Sequence, residues 1–453
     1  MAELLVVVPD AWRAQAERLV HYKQDTGLSA ALLTLGEIEN GFAGVDQPER
    51  IKRAIEQRHR VNGVEYVLLA GDVDQFPARY IKAMNTEWGT VWYPSDLYYA
   101  DLYDVNGVFE DWDADGDGIF AELDFGHTAQ GSRFNLDSIN IYPDVAIGRV
   151  PASTESEMAT YVDKVIRYEF AARESRDFAY PDAWFRRALF LVDGGSSPFG
   201  DETESSQQEA PLAASGFNIL HRYQDDAPWS GLTDQQRADE IVRLLNDGVG
   251  FLHVMGHGGR TGYAGWLTAN DVAGLTNPDK LPVVVAISCY TAQFHADIDA
   301  YAKLLGGDWT GSGVPRPDRP QPAPIQPQRF DRDSMAESFL VQADSGAVAY
   351  VGAVSKFEHG GKPLGLYLTE AYQALPKPPT IGAVWRRALT QFTTNELGGG
   401  TIGMGPYYAF IHVHKVMLFG DPSLRVGGLA PVAPFVTGPA VLSTALLGTP
   451  ALE

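Results

Sequence analysis

The 453-residue sequence contains a single cysteine, few basic residues and no long hydrophobic run. One cysteine excludes an intrachain disulfide, which removes the strongest compositional sign of a secreted framework. The 35 Lys and Arg against 58 Asp and Glu give a net charge of −23, which repels phosphate backbones, so nucleic acid is not an expected partner. No apolar run approaches the about 20 residues needed to cross a bilayer, so membrane insertion is not expected.

The apolar runs that do occur are short and alternate with helical segments in both halves of the chain. Uniform apolar strands separated by amphipathic helices are typical of mainly parallel sheets covered by helices on both faces. We therefore predict an α/β fold with two three-layer subdomains, residues 1–180 and 181–426, followed by a linker or tail at 427–453. The predicted strands are 4–8, 30–35, 65–69, 188–192, 250–254, 283–287 and 347–351, and the predicted helices are 10–22, 49–60, 155–173, 234–246, 334–342 and 363–374.

Two reactive side chains follow predicted strands of the second half. His257 comes after the apolar run 251–255, and Cys289 comes after the run 281–287. The carboxyl ends of neighbouring parallel strands meet at one edge of a sheet, so we expect these side chains to lie close together. A thiol with a pKa of about 8.5 needs a nearby imidazole or helix N-terminus to ionise at neutral pH, and the imidazole can then protonate a departing amine. The backbone N–H groups of Gly258 and Cys289 are the expected donors to an oxyanion.

A structural role is the alternative for each of these residues. A lone cysteine is commonly a small buried hydrophobe. Three further histidines lie in apolar runs, and we interpret them as packed or surface residues; they are His253, His412 and His414. His257 differs because it lies in a glycine-rich turn, and the only cysteine occupies the equivalent place after another strand. That coincidence favours a Cys–His dyad.

The segments around the two residues are GFLHVMGHGG and KLPVVVAISCYTAQF. They resemble the two catalytic blocks of the gingipain-type cysteine peptidases, which belong to the caspase-like superfamily. Further matches occur in family order, namely YVLLAGDVDQFPAR, YPDVAIGRVPAS, VDKVIRYE and MLFGDPSLRV. The resemblance implies two caspase-like α/β subdomains and a cysteine endopeptidase that acts on protein or peptide substrates without an organic cofactor.

The sequence also departs from the family pattern. Ser288 precedes the nucleophile where alanine is common, and the caspase pattern Gln-Ala-Cys is absent, so caspase-type Asp specificity is not implied. Relative to known members, residues 296–333 form a Pro-rich insertion. The bonds after Arg329 and Arg332 in this insertion are candidates for self-cleavage, and the insertion is a candidate latch over the site.

The resemblance also implies a third catalytic group and a specificity pocket. In gingipain-like enzymes an acidic residue before Gly-Gly approaches the catalytic histidine, and the matching residue here is Asp193. An acidic residue in the next loop lies at the base of the pocket in Arg-specific relatives, which matches Glu204 first and Asp201 second. A carboxylate there would select Arg or Lys. The alternatives are a turn-capping aspartate and a solvated acidic loop.

A pocket wall is expected from the segment 355–361. An aromatic residue caps the site in some relatives, and His359 or Phe357 would take that place here.

A run of carboxylates between residues 111 and 124 is the second strong motif. It matches the EF-hand loop pattern in two registers, which begin at Asp111 and at Asp113. Such carboxylates repel one another without a cation, so we expect a structural calcium site, with a solvated acidic turn as the alternative. The candidate ligands are Asp111, Asp113, Asp115, Asp117, Glu122 and Asp124.

Calcium at extracellular concentrations favours an exported or cell-surface protein. The N-terminus shows no signal-peptide pattern, so we expect a leader outside this sequence, with a cytoplasmic location as the alternative. Our prediction from sequence is a calcium-stabilised cysteine endopeptidase that cleaves after Arg or Lys. The alternatives are an inactive calcium-binding surface module and an acyltransferase that uses the same thioester chemistry. The oligomeric state stays open.

Overall fold

The computed structural model describes residues 3–85, 89–116, 118–121, 123–124, 133–135, 137–177, 183–193, 202–295, 333–397 and 405–429. The strands, numbered in chain order, are β1 (Leu4–Val8), β2 (Ala30–Thr34), β3 (Tyr66–Ala70), β4 (Tyr80–Asn85), β5 (Gly89–Pro94), β6 (Leu123–Asp124), β7 (Arg133–Phe134), β8 (Ala146–Val150), β9 (Arg187–Val192), β10 (Asn218–Tyr223), β11 (Phe251–Met255), β12 (Gly258–Gly259), β13 (Gly262–Tyr263), β14 (Leu267–Thr268), β15 (Val283–Ile287), β16 (Ala349–Ala353) and β17 (Val416–Phe419).

The α-helices are α1 (Arg13–Asp25), α2 (Leu35–Gly41), α3 (Gln47–Asn62), α4 (Leu97–Ala100), α5 (Glu155–Asp177), α6 (Glu202–Ala214), α7 (Asp234–Asp247), α8 (Ala269–Ala273), α9 (Met335–Val341), α10 (Pro363–Ala374), α11 (Ile381–Phe392) and α12 (Gly405–Lys415). Short 3₁₀ turns lie at Asp10–Trp12, Trp184–Arg186, Trp229–Gly231 and His359–Gly361, and a π-helical turn lies at Thr393–Leu397. Among the described residues, no helix combines the length and the apolar character needed to cross a membrane.

Ten strands form one continuous sheet in the order β10-β9-β11-β15-β16-β17-β8-β3-β1-β2. All neighbours are parallel except β16 and β17. The N-terminal half (β2-β1-β3-β8) joins the other half (β10-β9-β11-β15-β16-β17) where Phe419 pairs with Arg149. This second half carries the predicted dyad and is called the catalytic half below. Because β17 runs against β16, the strands of the two halves end at opposite edges of the sheet. The predicted mainly parallel α/β architecture is confirmed. The predicted subdomains share this sheet, and residues 178–182 at their boundary lie outside the described part of the chain.

The apolar runs explain why the predicted strands lie within two residues of the observed ones. β1, β11 and β15 are buried along their whole length, as expected for strands covered on both faces. The edge strand β10 was not predicted, because its residues alternate irregularly between exposed and buried and it contains His221 and Arg222. The short strands β8 and β17 were also not predicted.

The family-like segments outside the catalytic blocks form buried ion pairs. Arg149 of β8 makes two hydrogen bonds to Asp96, at 2.8 and 2.7 Å. Lys23 of α1 lies 3.1 Å from Glu169 of α5 and 2.9 Å from Asp421, which follows β17. All five side chains are at most 4% exposed. The group of Lys23, Glu169 and Asp421 ties α1 and α5 to the residue that follows the last strand of the catalytic half.

The fully buried side chain of Lys164 also links α5 to the catalytic half. The Lys164 ammonium donates to the carbonyl oxygens of Phe339 at 2.8 Å and Leu340 at 3.0 Å, at the end of α9. Free carbonyls at a helix C-terminus attract a positive charge. The segment VDKVIRYE therefore positions α9, the helix that follows the inserted segment.

Candidate active site

The two reactive side chains follow adjacent parallel strands. β11 pairs with β15, with Met255 opposite Ile287. His257 and Cys289 are each the second residue after that pair, so the strand register places them at matching positions on one edge of the sheet. His257 is exposed and Cys289 is half-buried. A substrate can therefore reach both residues from the same edge.

Glycines allow the loop after β11 to approach the loops after β15 and β9 closely. A Cβ on Gly258 would lie 2.1 Å from the Ser288 Oγ, and a Cβ on Gly256, whose φ is +136°, would lie 2.5 Å from the Asp193 Cβ. A larger residue at either position would force the loops apart. The Ser288 hydroxyl donates to the Gly256 carbonyl oxygen at 3.0 Å. The serine that departs from the family's alanine thus bridges the two loops.

The Cys289 thiol is held by the backbone of Phe357. Its Sγ accepts a hydrogen bond from the Phe357 N–H at 3.3 Å, and the thiol donates to the Phe357 carbonyl oxygen at 3.5 Å. Burial raises the pKa of the Cys289 thiol, while the Phe357 N–H and the Lys415 ammonium oppose that rise. In the part of the chain that the structure describes, the Cys289 N–H donates to no acceptor. It is therefore available to a developing oxyanion.

Asp193, the expected third catalytic group, directly follows β9 and lies against the loop that carries His257. Its N–H donates to the Met255 carbonyl oxygen at 3.0 Å. Its Oδ2 accepts from the backbone N–H of His257 at 3.4 Å. The carboxylate therefore helps to fix the backbone of the histidine loop, and its part in catalysis stays a prediction.

The expected pocket carboxylate of Glu204 lies in the first turn of α6. Its Oε2 lies 2.5 Å from the Lys362 ammonium, and Lys362 is 5% exposed whereas Glu204 is 40% exposed. An internal cation thus neutralises this carboxylate, and a substrate cation would have to share it with Lys362. Asp201, the second candidate, lies outside the described residues.

The structure corrects the role expected of Phe357 as an aromatic pocket wall. Its ring is 2% exposed and packs edge-on against the His412 ring, with centroids 4.8 Å apart. Phe357 therefore contributes its backbone to the site, because its ring is buried in the core. The backbone of His359 begins a 3₁₀ turn, and its side chain lies outside the described part of the structure.

The side chains that pack against the loop after β16, which carries Phe357, were not predicted from the sequence to belong to the site. The Glu358 carboxylate pairs with the Lys415 ammonium, and the Glu358 N–H donates to Nε2 of His412 at 3.2 Å. Both partners lie in the last turn of α12. One weak signal is present, namely that His412 lies in an apolar run directly before a family-like segment. Nothing in that pattern connects the helix to the nucleophile.

Three carboxylates in the N-terminal half could hold a cation. Oxygen atoms of Asp113, Asp115 and Asp137 lie within 4.8 Å of one another. Two ligands of one calcium ion at 2.3–2.6 Å lie at most about 5 Å apart, so this spacing fits calcium. Asp137 was missed because it lies beyond the twelve-residue loop pattern, and its Oδ1 accepts from the Ala114 N–H at 2.9 Å.

The remaining predicted ligands do not join this group in the described structure. The Asp111 carboxylate instead accepts from the Asp113 N–H at 3.1 Å. Asp117, Glu122 and the side chain of Asp124 lie outside the described residues. Between Asp111 and Asp113, Trp112 is fully buried and donates to the Asp101 carboxylate at 2.9 Å, which anchors the loop to the core.

The comparisons with known proteins agree with this architecture. Residues 1–427 match peptidase family C25. The chain belongs to peptidase family C25. Gingipain R2 of Porphyromonas gingivalis is 22% identical over 306 residues, which cover 67% of this chain and 34% of that protein. Lys-gingipain of the same organism is 31% identical over 171 residues, which cover 36% of this chain and 9% of that protein.

A crystal structure of the Arg-specific cysteine proteinase gingipain R shares the fold, with a TM-score of 0.62 at 20% identity over 94% of this chain and 78% of that one. The predicted resemblance to gingipain-type C25 peptidases and the caspase-like fold are thereby confirmed. The C25 chain spans about a third of the length of gingipain R2. Residues 296–332, with the cleavage candidates Arg329 and Arg332, lie outside the described residues, so self-cleavage stays a prediction.

Proposed function

We propose that this C25 chain is a cysteine endopeptidase with Cys289 as nucleophile and His257 as proton donor and acceptor. The Cys289 sulfur attacks the peptide carbonyl carbon, and the amine leaves with a proton from the imidazole. Water then attacks the thioester, which releases the acid and returns the proton to the enzyme. The N–H groups of Cys289 and Gly258 stabilise the oxyanion, and Asp193 orients the histidine loop.

The strand register is the observation that supports this proposal most directly. Pairing of β11 with β15 puts His257 and Cys289 at matching positions beyond Met255 and Ile287. The hydrogen bond from Ser288 to Gly256 holds the two loops together. A residue that served only as a buried hydrophobe would not need a neighbouring exposed histidine or a bare N–H.

Three variants test the dyad in a peptide-hydrolysis assay. We expect Cys289→Ala to abolish hydrolysis and His257→Ala to reduce kcat by about 100-fold or more, because each removes a group that acts on the reacting bond. His221→Ala is the matched control, since this exposed histidine lies on edge strand β10. Near-wild-type turnover by Cys289→Ala or His257→Ala would contradict the dyad.

The same assay separates the alternatives. An inactive calcium-binding module would give no hydrolysis and no labelling of Cys289 by a peptidyl electrophile. An acyltransferase would form a new amide when an amine is supplied, whereas a peptidase releases the acid. Mass measurement of the products distinguishes these two outcomes.

For the substrate, we propose cleavage after Arg or Lys. Support comes from the Arg-specific and Lys-gingipain relatives and from the acidic residue Glu204 in the first turn of α6, the helix that follows β9. A peptide library that varies the residue before the cleaved bond should show preference for Arg or Lys. Glu204→Gln should reduce that preference, whereas Glu240→Gln on the helix surface should not. Equal cleavage after neutral residues would contradict the specificity and leave the dyad intact.

We also propose a structural calcium ion at Asp113, Asp115 and Asp137. Their spacing supports a hard oxygen-ligand cation that neutralises three neighbouring carboxylates. A calcium ion bound here would stabilise the N-terminal half and would take no part in peptide cleavage. We also propose that the protein is exported, because calcium is abundant outside cells and would occupy this site there.

A further inference from the structure

The nucleophile rests on a loop that buried charges of α12 hold in place. The loop after β16 is tied to the Cys289 turn because the Tyr290 N–H donates to the Ser355 carbonyl oxygen at 3.0 Å. Two residues further on, Phe357 supplies the N–H that bonds the thiol. The next residue, Glu358, pairs with the Lys415 ammonium, which is 3% exposed. The donor to the thiol is thus one residue from a buried ion pair.

His412 secures the same loop from a second side. Its Nε2 accepts from the Glu358 N–H at 3.2 Å, and its Nδ1 lies 2.5 Å from the Tyr408 carbonyl oxygen. Nδ1 must therefore carry the proton and donate it, so the ring is the neutral tautomer. Burial holds the pKa of His412 well below its usual range, in agreement with that assignment.

We infer that Lys415 is a positioning residue for the nucleophile, acting with Glu358 to hold the Phe357 N–H on the Cys289 sulfur and to set the reactivity of that thiol. The inference rests on the proposed function, because it concerns the residue proposed to attack the substrate. Lys415 does not touch the substrate; it acts through the loop and through its charge.

The two members of the pair act on the thiol in opposite directions. The positive charge of Lys415 lowers the pKa of Cys289, and the negative charge of Glu358 raises it. Burial lowers the pKa of Lys415 itself, and Glu358 opposes this change. The charged or titratable groups around the thiol are Lys415 and His412 of α12, Lys356 and Glu358 of the loop after β16, His257 after β11 and Asp193 after β9.

The experiment is the pH profile of Cys289 alkylation by iodoacetamide, followed by the mass of the intact protein. Cys289 is the only cysteine, so the label reports on this thiol alone. We expect Lys415→Met to move the midpoint up by about one pH unit, which is about tenfold less thiolate at neutral pH. Glu358→Gln should move the midpoint down. Lys415→Arg, which keeps the charge, should stay near the wild type.

Lys164→Met is the control, because it removes another fully buried lysine, whose hydrogen bonds in the described structure go to carbonyl oxygens at the end of α9. It should lower the melting temperature and leave the alkylation midpoint unchanged. The opposite shifts of Lys415→Met and Glu358→Gln are the decisive result, since a purely structural role would move both in one direction. If Lys415→Met does not fold, Glu358→Gln alone decides: a lower midpoint supports the inference, and a higher or unchanged midpoint overturns it.

Iodoacetamide needs no peptidase activity, so the two proposals can fail separately. Shifted midpoints without peptide hydrolysis in the wild type would refute the endopeptidase and keep the role of Lys415. Hydrolysis with unmoved midpoints would refute the role of Lys415 and keep the endopeptidase.

Discussion

The two halves of the sheet share a strand order and differ in the residues that come after their strands. In both halves the second strand is outermost, the first lies next to it, and later strands add on the other side. After the N-terminal strands, aspartates accept hydrogen bonds from nearby backbone: Asp10 accepts from the Gly36 N–H at 2.8 Å, and Asp72 accepts from the Val73 N–H at 2.6 Å. After the catalytic strands stand an exposed His257 and a half-buried Cys289.

The same strand order could therefore place a functional site at the strand ends of either half, and the residues of the loops determine whether one is present. The N-terminal half uses the polar residues at its strand ends to satisfy its own backbone. The strand ends of the catalytic half instead carry the Cys289 thiol, the His257 imidazole and a Cys289 N–H that has no acceptor among the described residues. The buried carboxylates do not follow this division, because oxygens without a hydrogen-bond partner occur on Asp101 and Glu110 of the N-terminal half and on Glu337 of α9.

The largest expected effect comes from breaking the buried ion pairs between Lys23 of the N-terminal half and its partners Glu169 and Asp421. Lys23→Met would leave Glu169 and Asp421 as buried carboxylates without their shared cation. Removing one member of a buried pair costs about 3–5 kcal/mol, so the free energy of unfolding should fall by that amount in a urea titration. Under folding conditions the pH midpoint of Cys289 alkylation should stay unchanged. The triad of Lys23, Glu169 and Asp421 lies at the end of β17, which runs antiparallel to β16, so it is at the opposite edge of the sheet from the Cys289 loop.

An exposed pair provides the control. Arg243 and Asp247 lie on the surface of α7, with side chains 56% and 50% exposed. Arg243→Met should cost well under about 1 kcal/mol, because water already screens such pairs. A Lys23→Met protein as stable as Arg243→Met would show that the buried triad does not hold the halves together.

The second effect concerns calcium in the N-terminal half. A chelator should lower the melting temperature, because a ligand at 100 times its Kd stabilises the folded state by about 2.7 kcal/mol. Asp137→Asn should abolish the calcium-dependent part of the melting temperature, since Asp137 belongs to the carboxylate group. Asp111→Asn should retain it, because Asp111 bonds the backbone instead. Equal melting curves with calcium and with chelator would contradict the site.

The fold and the placement of His257 and Cys289 after neighbouring strands could be predicted because they depend on local patterns. Buried parallel strands appear as continuous apolar runs, and β1, β15 and α10 were predicted to the residue. The shared edge of His257 and Cys289 follows from the ends of β11 and β15, which the apolar runs mark in the sequence, and their action as a dyad stays a prediction. Asp137 and Lys415 could not be predicted, because each reaches its site through tertiary packing from a distant segment. Asp72 also follows a strand, and its full burial shows that the strand-end rule alone does not identify a site.

The smallest effect concerns Glu337, the poorly paired carboxylate of the catalytic half. Its Oε2 accepts from the Ser334 N–H at 2.7 Å and lies 3.7 Å from the Arg260 guanidinium. Burial, and then the nearby charge of Asp72, raise the pKa of Glu337 to about 8. A free glutamate has a pKa of about 4.3, so between these values the folded protein binds this proton more tightly than the unfolded chain.

Folding stability should therefore decrease as pH rises toward 8, and this loss should stop once Glu337 is ionised in the folded state. Glu337→Gln keeps the shape and removes the proton, so it should reduce the loss of unfolding free energy between pH 6 and 9 by on the order of 1–2 kcal/mol. Glu240→Gln is the matched control, because hydrogen bonding from Arg243 lowers the pKa of Glu240, which confines its effect to acid pH. Urea titrations across this range measure the difference, and parallel profiles for wild type and Glu337→Gln would show that the Glu337 carboxylate is ionised in the folded protein at neutral pH.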